Sequence, residues 1–108
     1  MLPKLPDPVE NYLMAEKAKD ADAIARCFAE DGVVHDDDED HRGRDAIRRW
    51  KREADAKYTY ALEPLSATVD RDIVIVRARL EGNFPGSPVE LDHVFKIAND
   101  TIVSLEIG

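Results

Sequence analysis

The sequence predicts a single α+β domain in which three N-terminal helices pack on a curved antiparallel sheet and enclose a pocket. Its 108 residues are enough for one hydrophobic core and too few for two. Apolar residues recur every three or four positions in the first half and every second position in the second half, which is typical of helices followed by strands. The domain is expected to comprise residues 1–108, with the proline-rich stretch 1–7 as a flexible N-terminal segment.

Composition and charge narrow the kinds of partner to expect. The formal net charge of -8 repels phosphate backbones, and the basic residues are scattered along the chain, so nucleic acid is not an expected partner. Cys27 is the only cysteine, which rules out an internal disulfide and a metal site with several sulfur ligands. No apolar run is long enough for a signal peptide or a membrane span. A cytoplasmic location and the absence of a membrane partner are therefore expected.

Two helices are predicted near the N-terminus. The first covers about 8–19, where Val9 and Leu13 share one side at helical spacing. Asp20 is placed to cap the N-terminus of the second helix, because its carboxylate can accept a hydrogen bond from a free backbone N–H. Gly32 is expected to end that second helix.

A third helix is predicted from Gly43 to about Lys57. Ile47 and Trp50 lie three residues apart on its apolar side, and the basic residues of the segment, Lys51 among them, are expected to face solvent. Trp50 is the only large aromatic residue of this helix, so we expect it to line the pocket or to pack directly behind it.

The remaining segments are predicted to be strands. Alternation in 58–62 shifts phase after Pro64, which indicates a bulge or bend in the strand. Turns are expected at 70–72, at 85–86 and at the Asn99-Asp100 pair, and they separate strands at 73–83, 89–97 and 102–107. A short strand is expected near Val33.

Both faces of the predicted sheet carry apolar residues, whereas the helices of one chain can cover only one face. A second copy of the chain is the simplest cover for the other, so a homodimer packed sheet against sheet is expected. His93, Phe95 and Ile97 share one face of a strand and are the residues on which this expectation mainly depends.

The segment from His35 to His41 contains the acidic run 36–40 and is predicted to be a solvated loop. Its histidines and aspartates include metal-ligand types, which leaves a metal site as an alternative. Their spacing matches no established ligand pattern, and calcium loops contain a glycine that this segment lacks. No metal is therefore expected.

Two stretches resemble a known superfamily. They are Phe28-Ala-Glu-Asp-Gly-Val-Val-His-Asp36, and His41-Arg-Gly-Arg-Asp-Ala-Ile47 followed by Trp50. The chain resembles the nuclear transport factor 2-like superfamily, and in particular its SnoaL-like and ketosteroid isomerase-like branch, from Val9 to Gly108. The resemblance implies a cone-shaped roll with a deep pocket between helices and sheet. This fold hosts enzymes, binding proteins and transport adaptors alike.

The resemblance also implies three catalytic residues, because the steroid isomerases have a tyrosine and two aspartates that Tyr12, Asp36 and Asp92 match in type and order. By this likeness Asp36 is the base that removes a proton next to a carbonyl. Tyr12 and a protonated Asp92 are hydrogen-bond donors to the enolate oxygen. The expected ligand is a small, partly apolar molecule with a carbonyl group, and no cofactor is expected.

The pocket is expected to be lined in part by four aromatic or aliphatic residues. These residues are Phe28, Val34, Trp50 and Val94.

Each catalytic candidate also has a structural interpretation. Tyr12 lies beside an apolar stripe and could be a boundary residue with its hydroxyl in water. Asp92 alternates with charged residues, as on the solvated face of an edge strand, and Asp36 begins an acidic run. Three functions therefore stay open: an isomerase-like or cyclase-like enzyme, a non-catalytic module that binds a small metabolite, and a dimerisation module.

Overall fold

The computed structural model describes residues 2–108 and confirms the α+β class, with helices packed against one open six-stranded sheet. Met1 of the predicted N-terminal segment lies outside the described residues. The elements in chain order are α1 (Asp7–Ala18), α2 (Ala21–Arg26), β1 (Phe28–Asp36), β2 (Glu39–Arg42), α3 (Arg44–Lys57), β3 (Tyr60–Asp70), β4 (Ile73–Gly82), β5 (Val89–Ala98) and β6 (Thr101–Ile107).

The sheet is mixed, which corrects the expectation of a purely antiparallel one. Its strand order is β2-β1-β6-β5-β4-β3, and every neighbouring pair is antiparallel except β1 with β6. The predicted bend near Pro64 is confirmed as a register shift between Pro64 and Ser66. The predicted hairpin is confirmed as well, since Asn99 and Asp100 both have positive φ and connect β5 to β6.

The first two helices begin as their sequences predict, but the second is shorter. Pro8 lies in the first turn of α1, where a missing backbone N–H is harmless. The Asp20 side chain accepts a hydrogen bond of 3.0 Å from the Ala23 N–H, which confirms the predicted cap. However, α2 ends at Arg26 rather than near Gly32, because Phe28 pairs with Ile102 of β6 and starts a strand there.

The acidic segment is a hairpin and not an open loop. β1 and β2 pair from Val33 with Arg42 to Asp36 with Glu39. Asp37 and Asp38 form the turn with φ of 53° and 61°, a left-handed conformation that aspartate tolerates better than most side chains. The turn therefore fixes Asp36 at the end of a paired strand.

Alternation along the strands divides the sheet into an inner face, which the helices cover, and an outer face. Val76, Phe95 and Leu105 are fully buried on the inner face, beneath α1 and α2. Leu5 also belongs to this core, so the segment before α1 is packed on the domain at that residue and is not free along its whole length.

The inner face also contains the residues on which the sheet-to-sheet dimer was expected to depend. His93 and Phe95 are buried by the chain's own helices, and Ile97 packs against the same core. They are therefore not available to a second copy. The outer face instead presents Ile75 beside Val94 in register.

Among residues 2–108 no helix combines the length and the apolar character that crossing a membrane requires.

Candidate functional site

A cavity of about 700 Å³ lies between α3 and the inner face of the sheet. This volume is within the range of ligand pockets, roughly 300–1,000 Å³. Its aromatic wall consists of Trp50, Tyr58, Tyr60 and Phe84. A second cavity of about 450 Å³, next to α1 and α2, contains none of the predicted site residues in its lining.

Asp36 is on the wall of the larger cavity. It is the last residue of β1, and the turn that follows fixes its backbone. The indole Nε1 of Trp50 donates a hydrogen bond of 3.0 Å to Asp36 Oδ2. The α3 helix thus holds one carboxylate oxygen, and the carboxylate borders the cavity in a defined orientation.

Tyr12 lies behind this wall in the core. Its side chain is 1% exposed, and its ring meets Phe28 and Phe95 edge to face at centroid distances of 6.3 and 5.2 Å. Burial raises the pKa of Tyr12 well above the usual value, and the nearby Glu16 and Asp36 carboxylates and the Tyr60 oxygen raise it further. Tyr12 is therefore a neutral phenol whose oxygen lies close to these groups.

Asp92 is not near Tyr12 and Asp36, which corrects its expected place in the pocket. It lies on the outer face of β5, 45% exposed, and accepts a hydrogen bond of 3.2 Å from Arg77. Val94 shares that face, so it is not a pocket residue either. The reason is the alternation along the strand: because His93 points toward the helices, the residues on either side of it point away.

Phe28 and Val34 are fully buried core residues and are absent from the cavity lining. Of the four residues expected to line the pocket, only Trp50 lines the cavity.

A buried charged cluster next to the cavity was not predicted from the sequence. Lys51 is 0% exposed and Glu16 3% exposed, although both types are normally at the surface. The Lys51 Nζ lies 2.6 Å from Glu16 Oε2, 2.9 Å from Asp55 Oδ1 and 2.6 Å from the Tyr60 hydroxyl oxygen. Three oxygens thus surround a group that has three N–H donors.

The protonation of this cluster follows from its contacts. Burial alone would lower the pKa of Lys51, but the Glu16 carboxylate and the Tyr60 oxygen outweigh it and the pKa is raised. Burial, together with Glu16, raises the pKa of Tyr60 to about 12, even though Lys51 acts in the opposite direction. At neutral pH the cluster therefore contains an ammonium group and a neutral phenol, and this phenol belongs to a cavity-lining residue.

The signal for this cluster was present in the sequence. Lys51 follows Ile47 by four positions, and Glu16 follows Tyr12 by four, so each charged residue lies on the buried side of its helix. A lysine and a glutamate at core-facing positions of two helices indicate a buried ion pair.

His93 is a further buried polar residue on the inner face. It is 2% exposed, its ring is stacked on Phe95 at 6.4 Å, and its Nδ1 has no hydrogen-bond partner among residues 2–108. Burial lowers the pKa of His93, and a hydrogen bond to the Leu91 backbone and the nearby Glu16 and Asp36 carboxylates offset this only in part. His93 is therefore neutral at pH 7.

The mouth of the cavity is acidic. Asp37, Glu39 and Glu53 are exposed lining residues, and Lys57 is the basic residue beside them. Such a mouth favours neutral or cationic ligands over anions. Within residues 2–108 no group of three or more histidine, cysteine or carboxylate side chains is arranged to hold a metal ion.

An open cone of helices and sheet around one largely apolar cavity defines a nuclear transport factor 2-like pocket domain. Residues 9–105 match the family model described as the SnoaL-like domain, and the chain belongs to that family. The superfamily and the branch that the sequence resembles are thereby confirmed.

Solved structures support the same assignment. A proposed polyketide cyclase from Sinorhizobium meliloti is 45% identical, with a TM-score of 0.93 over 96% of this chain and 95% of that one. A protein of ketosteroid isomerase-like fold from Catenulispora acidiphila, in complex with trimethylamine, is 22% identical, with a TM-score of 0.84 over 97% and 86% of the two chains.

A further similar structure has another described activity. An LEH-like epoxide hydrolase from Mycobacterium tuberculosis is 16% identical, with a TM-score of 0.77 over 94% of this chain and 79% of that one. This likeness and the Catenulispora one concern the fold alone. Among curated proteins none matches the chain in sequence.

Proposed function

We propose that this domain binds a small, partly apolar carbonyl compound and moves a proton next to the carbonyl, as an isomerase or a cyclase would, with Asp36 as the base. The proposal rests on one observation, the Asp36 carboxylate held by the Trp50 N–H on the wall of a largely apolar cavity. A carboxylate that borders such a cavity can remove a carbon-bound proton when the resulting negative charge is stabilised. No cofactor takes part in the proposed step.

The proposed step is balanced within the ligand and one side chain. Asp36 takes a proton from the carbon next to the carbonyl, the C–H electron pair forms a carbon–carbon double bond, and the carbonyl π electrons move to oxygen. Return of the proton to a different carbon gives an isomer. Attack of the enolate carbon on a second carbonyl of the ligand forms a ring, and the oxygen of that second carbonyl takes up the proton held by Asp36. Ring formation is consistent with the description of the Sinorhizobium meliloti relative as a proposed polyketide cyclase.

The test is exchange of α-protons into deuterated water, followed by NMR for a panel of enones, β-keto esters and longer polyketide-like ketones. Asp36→Asn keeps an oxygen that can accept the Trp50 N–H but removes the base, so exchange should fall by about 100-fold or more. Asp38→Asn is the matched control, because Asp38 is an exposed turn residue outside the cavity lining.

Non-catalytic binding of a small metabolite is the second candidate, and the position of Asp92 favours it. With Asp92 paired to Arg77 on the outer face, one of the two donors that the isomerase pattern supplies is missing from the cavity. Ligands that bind with no faster exchange in the wild type than in Asp36→Asn would contradict the enzyme and support this binding module.

We also propose that the domain acts as a homodimer through the outer face of the sheet. Ile75 and Val94 are neighbours in register there, and Arg77 bridges Glu90 and Asp92 beside them. An apolar centre flanked by both signs of charge is self-complementary about a two-fold axis.

A further inference from the structure

We propose that Tyr60, whose hydroxyl oxygen accepts a hydrogen bond from the buried Lys51 ammonium, donates the hydrogen bond that holds the ligand's carbonyl oxygen and the enolate oxygen formed from it. This role deepens the proposed function and rests on it for the reaction. The hydrogen bond from Tyr60 to the carbonyl oxygen of a bound ligand can be tested without turnover. Tyr60 would supply the donor that Asp92, on the outer face, does not.

The direction of the hydrogen bond between the two residues follows from their chemistry. A lysine ammonium has three donors and no acceptor, so across the 2.6 Å contact Lys51 donates and the Tyr60 oxygen accepts. The phenolic proton must then point to another acceptor. Among residues 2–108 no side-chain hydrogen bond has the Tyr60 hydroxyl as donor, which leaves this proton for a ligand.

The ring of Tyr60 is held in place from several sides. The Lys19 Nζ lies 3.9 Å from its centroid, and Phe84 meets it edge to face at 6.4 Å. Gly82 is its partner in register on β4, and a Cβ at Gly82 would lie 2.6 Å from Tyr60 Cβ, so only glycine lets the two strands approach here. A donor fixed in this way needs little reorganisation during the reaction.

The charges around Tyr60 keep it a phenol while polarising it. Glu16 and Asp55 hold the Lys51 ammonium within hydrogen-bonding distance of the phenol oxygen. A hydrogen bond received from a charged donor makes the phenol O–H a stronger donor in turn. The net increase in the pKa of Tyr60, to about 12, means that this proton stays on the oxygen at neutral pH.

Tyr60 and Asp36 serve the same cavity from different strands, β3 and β1. In the proposed step Asp36 gains the α-proton and later returns it. The Tyr60 proton stays on Tyr60 and its hydrogen bond shortens as negative charge develops on the ligand oxygen. Tyr60 would thus be the catalytic donor, and Lys51 a positioning residue that acts through it.

The binding half is tested by infrared spectroscopy of a ¹³C-carbonyl-labelled cyclohexenone bound to the full-length protein. A hydrogen bond to the carbonyl lowers its stretching frequency, so the band should move down on binding to the wild type. The shift should be lost in Tyr60→Phe and kept in Tyr58→Phe, which removes the other hydroxyl of the aromatic wall. The shift should also persist in Asp36→Asn, because that variant loses the base and not the donor.

The catalytic half is tested with the same variants by deuterium exchange. Tyr60→Phe should lower the exchange rate constant by about 100- to 1,000-fold and change the apparent KM much less, since the bond tightens mainly in the transition state. The double variant Glu16→Gln, Lys51→Gln removes both charges at similar shape. It should keep ketone binding but reduce the frequency shift, which a merely structural role of Lys51 would not do.

The possible outcomes separate this inference from the proposed function. A shift that depends on Tyr60 without exchange of any panel ketone contradicts the reaction and supports the donor. A shift that survives Tyr60→Phe and disappears in Tyr12→Phe overturns the inference and assigns the donor to Tyr12. A bound ketone without any shift in the wild type overturns it as well, and failure of every panel ketone to bind at millimolar concentration overturns both proposals.

Discussion

Replacing Lys51 by methionine should destabilise the domain by about 3 kcal/mol. Breaking a buried ion pair typically costs about 3–5 kcal/mol, because a charge is left unpaired in the interior. Here Glu16, 3% exposed, would keep only Lys19, whose Nζ lies 3.2 Å from its Oε1. This remaining partner places the loss near the lower limit of that range. Methionine and lysine have similar helix propensities, so α3 itself should persist.

Urea unfolding, followed by circular dichroism and by the fluorescence of Trp50, measures this loss. With a slope of about 1.5 kcal/mol per molar urea, the midpoint should fall by about 2 M. Arg49→Met, an exposed position of the same helix, should change stability by no more than about 0.5 kcal/mol. Adding Glu16→Gln to Lys51→Met should recover part of the loss. If Lys51→Met is no more destabilising than Arg49→Met, the buried cluster does not stabilise the fold as argued.

Two further predictions concern the inner and outer faces of the sheet. His93 has a pKa below its ordinary 6.5 because it is buried. Its neutral ring therefore contributes stability that is complete above about pH 6.5 and is lost as the pH falls toward the folded-state pKa, at up to about 1.4 kcal/mol per pH unit. The free energy of unfolding, measured in urea, should decrease less in His93→Leu than in the wild type when the pH falls from about 7.5 to about 5.5. Equal decreases in the two proteins would contradict a buried, neutral His93. Sedimentation at micromolar concentration should show a dimer that Ile75→Lys converts to a monomer, whereas a monomeric wild type would contradict the proposed interface.

The fold was predictable where the signal is local. The Asp20 cap, the bend at Pro64 and the Asn99-Asp100 hairpin each depend on a few neighbouring residues, and each is confirmed. The end of α2 was not predictable from local signals, because the conformation at Phe28 is decided by pairing with Ile102, a partner distant in sequence. Strand pairing of this kind leaves little trace in local propensity.

The site was predictable in part for a similar reason. Asp36 was found because its acidic run follows a recognisable stretch, and Trp50 because it is the large aromatic residue of an amphipathic helix. Lys51 was expected in solvent, since lysine is almost never fully buried unless it is paired. Helical spacing places Lys51 on the buried side of α3, but its partners lie on α1, α3 and β3, so which groups surround it becomes clear only when these elements are packed together.

The position of Asp92 shows why a match of residue types does not by itself make a site. Side chains alternate along a strand, so moving Asp92 to the inner face would require a one-residue slip that turns His93 and Phe95 outward. These two residues are 2% and 0% exposed, and β4 pairs with β5 in unbroken register from Leu80 with Val89 to Ile73 with Lys96. The slip would expose a stacked aromatic pair in exchange for burying a carboxylate, which is unfavourable on both counts. A donor for an enolate oxygen in this domain must therefore come from another element, and Tyr60 on β3 is a cavity-lining residue with a protonated hydroxyl and a cation behind it.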